Sequence, residues 1–284
     1  MAAIFLAQVN VWMDAIFILL FIGVWLFVLF HFSISIPKGR FRKKWIEGKW
    51  PEHEHLPVFL PKVMHWIHLI CMLALAFSGL YIRFPFFDGG RTPMRWVHYV
   101  AMVIVGINYF WRLWYAFFSK GRDYKKFGID KRDLQSAVGV LAYYGYFSDN
   151  KPHVAEYNVM QKMSYLLFAV LMLAQGFTGL SLLTQELPLI GLSMREILVG
   201  WWLGPLVGGV AVAGAWMRIL HYAINWLFII MTVVHFYLAV NEDLPIGLDF
   251  FGFKKYPKEK LASHGHGHGE AHAPSAAAAA VEAE

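Results

Sequence analysis

The chain has 284 residues, of which 58% are hydrophobic, 17% aromatic and only 15% charged, with a net charge of +6. An ordinary soluble domain carries roughly 25% charged residues. The polar skin of a soluble globular enzyme is missing, and a mean hydropathy of +0.47 points to an integral membrane protein. The single cysteine, Cys71, excludes an internal disulfide framework, a Cys-ligated iron–sulfur cluster and the CxxCH attachment of a c-type haem.

Five apolar runs are long enough to cross a bilayer, which takes about 20 residues. They cover 11–32, 63–82, 96–118, 163–183 and 217–240. The first ten residues carry no Lys or Arg, and a basic cluster follows the first run instead of preceding it. That polarity is opposite to a cleaved signal peptide, so the first run reads as a membrane helix. The stretch 187–216 is apolar but broken by Gly191, Gly200, Gly204, Pro205, Gly208, Gly209 and Gly214. It reads as an external amphipathic or re-entrant segment. A sixth crossing there would reverse the last helix and break the charge pattern. Most Lys and Arg lie after the first run (Lys38 to Lys62), after the third (Lys120 to Lys162) and after the last (Lys254 to Lys260). The positive-inside rule then predicts five spans with the N-terminus outside and the C-terminus in the cytoplasm. The tail 261–284 is rich in His, Ala and Gly and reads as solvated and disordered.

Ionisable residues within spans are costly and mark functional sites. His65 and His68 fall near the cytoplasmic end of the second run, and His98 near the outer end of the third. His221 and His235 both fall on the fifth. Fourteen residues of helix span about 21 Å and turn the side chain by only about 40°. His221 and His235 therefore face one side, one near each membrane surface. That separation is too long for one metal site and suits two cofactors stacked across the bilayer. A b-type haem with two axial imidazoles needs them on two helices at equal depth. His98 matches His221, and either His65 or His68 matches His235. A core histidine bonded to backbone or water accounts for any one of these; paired depths on three helices argue for ligands.

Other groups fit the same reading. Arg112 and Arg218 fall near the two levels and suit haem propionates, although snorkelling accounts for them equally. Gly79, Gly106, Gly176 and Gly179 permit close approach of a flat porphyrin or of neighbouring helices. His31 ends the first run with no evident partner and reads as interfacial. His53, His55 and His153 read as solvated loop residues. Asn158 and Gln161 have the spacing of a helix-capping box, and with Tyr157 they also have the donors to bind a quinone. Glu242 and Asp243 read as a solvated helix end.

At this point the sequence resembles a known family. The stretches that carry the resemblance are "VMHWIHLICMLALAFSGLYI" (63–82), "MRWVHYVAMVIVGINYFWRLWYAFF" (94–118), "YNVMQKM" (157–163) and "MRILHYAINWLFIIMTVVHFYLAVNED" (217–243). They are similar to the di-haem b-type cytochrome subunits of membrane-bound nickel–iron hydrogenases and to the gamma subunit of respiratory formate dehydrogenase. The resemblance implies an all-α membrane fold in which a four-helix core (61–245, with the insertion 187–216) holds two b-type haems. An extra N-terminal helix and basic loop (1–60) precede it, and the tail is 246–284. Counting back from the Ser78–Gly79 pair, it makes His65 the second-helix ligand instead of His68. The outer haem then belongs to His98 and His221, and the inner one to His65 and His235. It also implies a quinone site of Tyr157, Asn158, Gln161 and His235, with Asn158 at the level of His235.

The implied function is a membrane anchor that is not an enzyme alone. Such a subunit carries electrons from iron–sulfur and catalytic subunits at the outer face of a bacterial or archaeal cytoplasmic membrane to quinone. Hydrogen oxidation is the leading reading. Formate dehydrogenase and thiosulfate or polysulfide reductase modules use similar subunits. A transporter with an intramembrane histidine relay is the reading from another class. No flavin motif, GxGxxG or P-loop is present to make the chain a stand-alone reductase, and nothing suggests nucleic acid as a partner.

Overall fold

A computed structural model describes residues 2–50, 59–120, 122–152 and 157–252. The tail 261–284 and the loop residues His53, His55 and His153 lie outside the described residues. Within lipid every backbone N–H and C=O must be paired inside its own segment, and helices do this. The helices are α1 (Ala2–Ser35), α2 (Phe59–Arg83), α3 (Arg91–Phe118), α4 (Lys131–Tyr144), α5 (Val159–Leu180), α6 (Leu203–Val207) and α7 (Val210–Phe250). Five of them, α1, α2, α3, α5 and α7, are long and apolar enough to cross a membrane. The fourth crossing starts at Val159 instead of 163, because Asn158 and Gln161 cap its N-terminus reciprocally.

Helices α2 and α3 form an antiparallel pair, and α5 and α7 form another. We call the end holding Phe59, Phe118, Val159 and Phe250 the basic end, and the opposite one the far end. Tyr109 on α3 joins the pairs by donating to the Ala169 carbonyl of α5. Helix α1 lies along α7, where Phe17 stacks on Trp226 with ring centres 5.9 Å apart.

Polar contacts hold α1 at both ends. At the far end Asp14 accepts from Arg83 of α2 (2.7 Å) and from the Tyr222 hydroxyl of α7 (2.7 Å). At the basic end His31 is buried, which corrects its reading as an interfacial residue without a partner. Its Nε2 donates to the Tyr144 carbonyl (2.7 Å), so its Nδ1 accepts from the Tyr237 hydroxyl (2.5 Å). Those partners stand 113 and 206 residues away in sequence, beyond the reach of local pattern.

The end of α7 is kinked. Asp243 leaves helical geometry (φ −156°, ψ 63°), and Pro245 follows inside the helix. Proline has no N–H, so the carbonyl four residues earlier, that of Asn241, loses its helical donor. Lys44 supplies one: its Nζ donates to the Asn241 carbonyl at 3.1 Å and pairs with Glu242 at 2.9 Å. Glu242 also faces Lys151 (3.6 Å) and the Tyr143 hydroxyl (3.4 Å). The expected solvated helix end at Glu242 is therefore a largely buried ion-pair network. Burial pushes the Lys44 ammonium below its ordinary pKa while Glu242 opposes that, and burial pushes the Tyr143 phenol up.

Helix α4 has no counterpart among the expected elements. Its signal was present: Asp130 and Asp133 form a capping box. Leu134, Val138 and Leu141 recur at i, i+4 and i+7 and are exposed, which suits an interfacial helix with its apolar face toward lipid. Asp133 is tied to Lys162 of α5 by a buried 2.7 Å ion pair. The stretch before α7 holds no helix long enough to cross a membrane. It makes one π-type turn at Glu196–Gly200 and the short helix α6, and Val199 packs on Ala213 and Met217 at the start of α7.

Candidate haem-binding cleft

A continuous, mostly apolar cleft of about 4060 Å³ separates the two helical pairs. It is lined by His65, His98, His221 and His235, and also by Arg112 and Arg218. All four imidazoles lie within spans, where an unpaired polar group is expensive. The site is best read from the hydrogen bonds that hold each ring.

At the far end, His98 of α3 and His221 of α7 face each other with ring centres 6.2 Å apart. A metal–imidazole bond is about 2 Å and the ring centre lies about 1 Å behind the nitrogen, so two axial imidazoles on one iron place their centres about 6 Å apart. The ring nitrogens are already sorted. Ser78 Oγ donates to the Ala74 carbonyl (2.6 Å) and therefore accepts from His98 Nδ1 (2.9 Å). Thr178 Oγ1 donates to the Ala174 carbonyl (2.8 Å) and accepts from His221 Nδ1 (3.1 Å). The proton is thus on Nδ1 in both rings, and each Nε2 keeps its lone pair for a metal. Among the described residues the one hydrogen-bond partner of His221 Nε2 is the Gln175 amide at 3.3 Å, a long contact, and Gln175 Oε1 is buried without a partner.

The residue after each hydroxyl is glycine. A Cβ on Gly79 would stand 3.4 Å from His98 Cε1, and one on Gly179 would stand 2.9 Å from His221 Cε1. The same four-residue text, FSGL at 77–80 and FTGL at 177–180, thus does the same work on α2 and on α5. Gly79, Gly179 and the Ser78–Gly79 pair were legible in the sequence; Thr178 was missed, although the similar text was its signal. Gly106 and Gly176, by contrast, line the cleft with open space where a Cβ would go, which suits a flat ligand.

Toward the basic end, His65 is exposed in the cleft and edge-on to Phe250 (5.4 Å between centres), and it lies within electrostatic reach of His235. His235 packs edge-on against Phe168 of α5. His68 turns to α3 instead, where its Nδ1 meets Asn108. Arg112 pairs with Asp123 at 3.2 Å, and among the described residues its buried Nη1 has no partner. Arg218 is exposed at the far end.

The quinone candidates divide into two groups. Tyr157 stacks on Phe127 (5.5 Å) and stands beside Asn158 and Gln161 at the start of α5. His235 is not with them. Its neighbour Phe168 is ten residues beyond Asn158, about 15 Å along the helix. The antiparallel register that sets Phe168 against His235 instead carries Asn158 to the level of the α7 kink.

The residues fit haem. Among the described residues no cluster of three or more His, Cys, Asp or Glu could hold a bare metal ion. Two imidazoles fill only two positions, and a porphyrin brings the other four nitrogens. The partnerless Arg112 Nη1, the open glycines and the two prepared Nε2 atoms all suit that group.

Fold and site together define an all-helical, multi-pass membrane protein with one facing histidine pair, His98 and His221, and two further histidines, His65 and His235, lining a cleft between its helices. The chain belongs to the prokaryotic cytochrome b561 family, whose model matches residues 59–245. It is accordingly a haem b-binding, electron-transfer membrane cytochrome. It is 24% identical over 196 residues to a "Probable Ni/Fe-hydrogenase B-type cytochrome subunit" of Rhodobacter capsulatus, covering 64% of this chain and 72% of that one. It is 23% identical over 201 residues to the protein of the same description from Cupriavidus necator, covering 64% and 77%. Helix α1 lies outside the family match.

The Gly179 contact generates a prediction. Gly179→Val drives the His221 ring from its position, so the purified variant holds clearly less haem than wild type at unchanged helix content. Gly23→Ala, which meets nothing within 4 Å, is the control and keeps full haem. Wild-type haem content in Gly179→Val refutes the packing argument.

Proposed function

We propose that the chain binds two b-type haems and carries electrons between a hydrogenase and the quinone pool across the cytoplasmic membrane. The observation that carries this is the His98–His221 pair, 6.2 Å apart with both Nδ1 protons already committed. His98 and His221 hold the far-end haem, and His65 and His235 the basic-end haem. Arg218 and Arg112 serve the propionates of the two groups. Haem, when bound, supplies reversible one-electron chemistry; the chain supplies ligation, depth and electrostatics.

The partner is read from the relatives, which are described as hydrogenase subunits. Its iron–sulfur and catalytic subunits dock at the far end, which the sparse Lys and Arg there assign to the outer face. Electrons from hydrogen oxidation enter beside His98 and His221 and leave beside His65 and His235. Quinone is reduced at the basic end and takes its protons from the cytoplasm.

The quinone head-group binds near Tyr157, Asn158 and Gln161. The capping box uses the Asn158 and Gln161 side-chain oxygens, and among the described residues both amide nitrogens are left to donate to a quinone carbonyl. Capping and quinone binding thus use different atoms of the same residues. His235 belongs to the iron, with the quinone further toward the surface.

Three measurements test the proposal. Pyridine haemochrome analysis of the purified chain gives two b-type haems, and each of His65→Ala, His98→Ala, His221→Ala and His235→Ala loses one. No haem, or haem c, in the wild type refutes the reading. A reporter fused after Glu284 behaves as cytoplasmic, and a signal from the other side overturns the orientation. Asn158→Ala slows haem reoxidation by a quinone analogue about 2- to 13-fold, the worth of one hydrogen bond of about 0.5–1.5 kcal/mol, with both haems retained. Unchanged reoxidation with a lower melting temperature leaves Asn158 as a helix cap alone.

A further inference from the structure

The far end of the cleft is built twice. On α2, Ser78 accepts from His98 and Gly79 leaves room for its ring; on α5, Thr178 and Gly179 do the same for His221. The text ahead of each imidazole is repeated too. It reads Met94-Arg95-Trp96-Val97-His98 on α3 and Met217-Arg218-Ile219-Leu220-His221 on α7. Hydroxyl, glycine, arginine and imidazole thus stand at matching places in both helical pairs. Helices α3 and α7 both start at the far end, so they run parallel. Because their two imidazoles also face each other, the matched residues relate the pairs by an approximate two-fold axis along the bundle.

An arginine three residues before its histidine lies about 4.5 Å nearer the far surface and about 60° round the helix. The two-fold relation carries that turn to opposite sides. Arg95 is displaced one way from the line between His98 and His221, and Arg218 the other. Both arginines line the cleft, and neither is buried. Two other arginines of this end are occupied. Arg83 pairs with Asp14 at 2.7 Å, and Arg195 donates to the Ser181 and Leu182 carbonyls at 3.3 Å each. Among the described residues no carboxylate pairs with Arg95 or Arg218.

A haem held by His98 and His221 stands across the line between them, with one ligand helix on each face. It carries two propionates side by side on one edge. A guanidinium from each face, one turn above its ligand and displaced to opposite sides, suits two separate carboxylates. Snorkelling also draws an arginine toward the surface, but it gives no reason for the same position on both ligand helices.

We propose that Arg95 and Arg218 each bind one propionate of the far-end haem, so that its propionate edge faces the far surface and both of its carboxylates are neutralised. This rests on the far-end haem proposed above and adds Arg95 as a second anchor for it. Removing one cation leaves more negative charge near the iron, which favours the oxidised form.

The test is a redox titration of the purified chain followed by haem absorbance. The far-end midpoint is the one that His65→Ala retains. Arg95→Gln keeps two haems and lowers the far-end midpoint, with the other midpoint unchanged. Arg95→Lys, which keeps the charge, stays closer to wild type. Arg218→Gln lowers the same midpoint, and the double variant lowers it by about the sum of the two, because separate carboxylates couple weakly. A far-end midpoint that does not move in Arg95→Gln overturns the proposal. So does an equal fall in Arg91→Gln, one turn nearer the surface on α3, which makes the effect that of surface charge at large. A double variant no lower than either single one overturns the assignment of one carboxylate to each arginine. Loss of the far-end haem from Arg95→Gln with its return in Arg95→Lys supports the proposal, and loss from both overturns it. Absence of haem from the wild type is a separate outcome, which sinks the di-haem reading itself.

Discussion

The imidazole–hydroxyl hydrogen bonds from His98 to Ser78 and from His221 to Thr178 set the terms for the far end of the molecule. A neutral imidazole has one donor and one acceptor nitrogen, and which is which decides what it can bind. Each hydroxyl spends its own proton on a carbonyl one turn back, so it can only accept. That commits Nδ1 and frees Nε2. The adjacent glycine lets the ring lie against the helix that steadies it. Because the steadying helix and the ligand helix are partners in each pair, neither far-end ring depends on the opposite pair for its orientation.

Polar contacts recur wherever the extra N-terminal helix meets the core. Asp14 binds Arg83 and Tyr222 at one end, and Lys44 binds Glu242 and the freed Asn241 carbonyl at the other. Apolar packing alone is a weak guide in lipid, since acyl chains are as apolar as leucine. These contacts give α1 a definite register on α7.

The five crossings were legible because about 20 apolar residues in a row have few other uses. The histidine pairing was legible from depth and azimuth, both of which follow from helix geometry. What was not legible depended on contacts distant in sequence. His31 looked unpartnered because Tyr144 and Tyr237 are supplied by other helices. Glu242 looked solvated because its lysines come from two separate loops. Asn158 seemed level with His235 because the register between α5 and α7 cannot be counted from either helix alone. Helix α4 was passed over because its apolar stripe is short and its flanks are basic, although its capping box was in plain text. The contact of His68 with Asn108, forty residues away, lay equally beyond local pattern.

The kink in α7 also bears on how the protein is made. A chain emerges from its N-terminus, and its helices enter the bilayer in that order. Asp14 waits 69 residues for Arg83, so α1 and α2 complete one charge pair early. Lys44 waits 198 residues for Glu242, until the last helix has been inserted. Until then Lys44 has no carboxylate, and the Asn241 carbonyl that Pro245 leaves bare has no donor. The final turns of α7 therefore settle against a segment synthesised 198 residues earlier, and a nascent protein cut short before α7 carries a lysine that has yet to find its counter-charge.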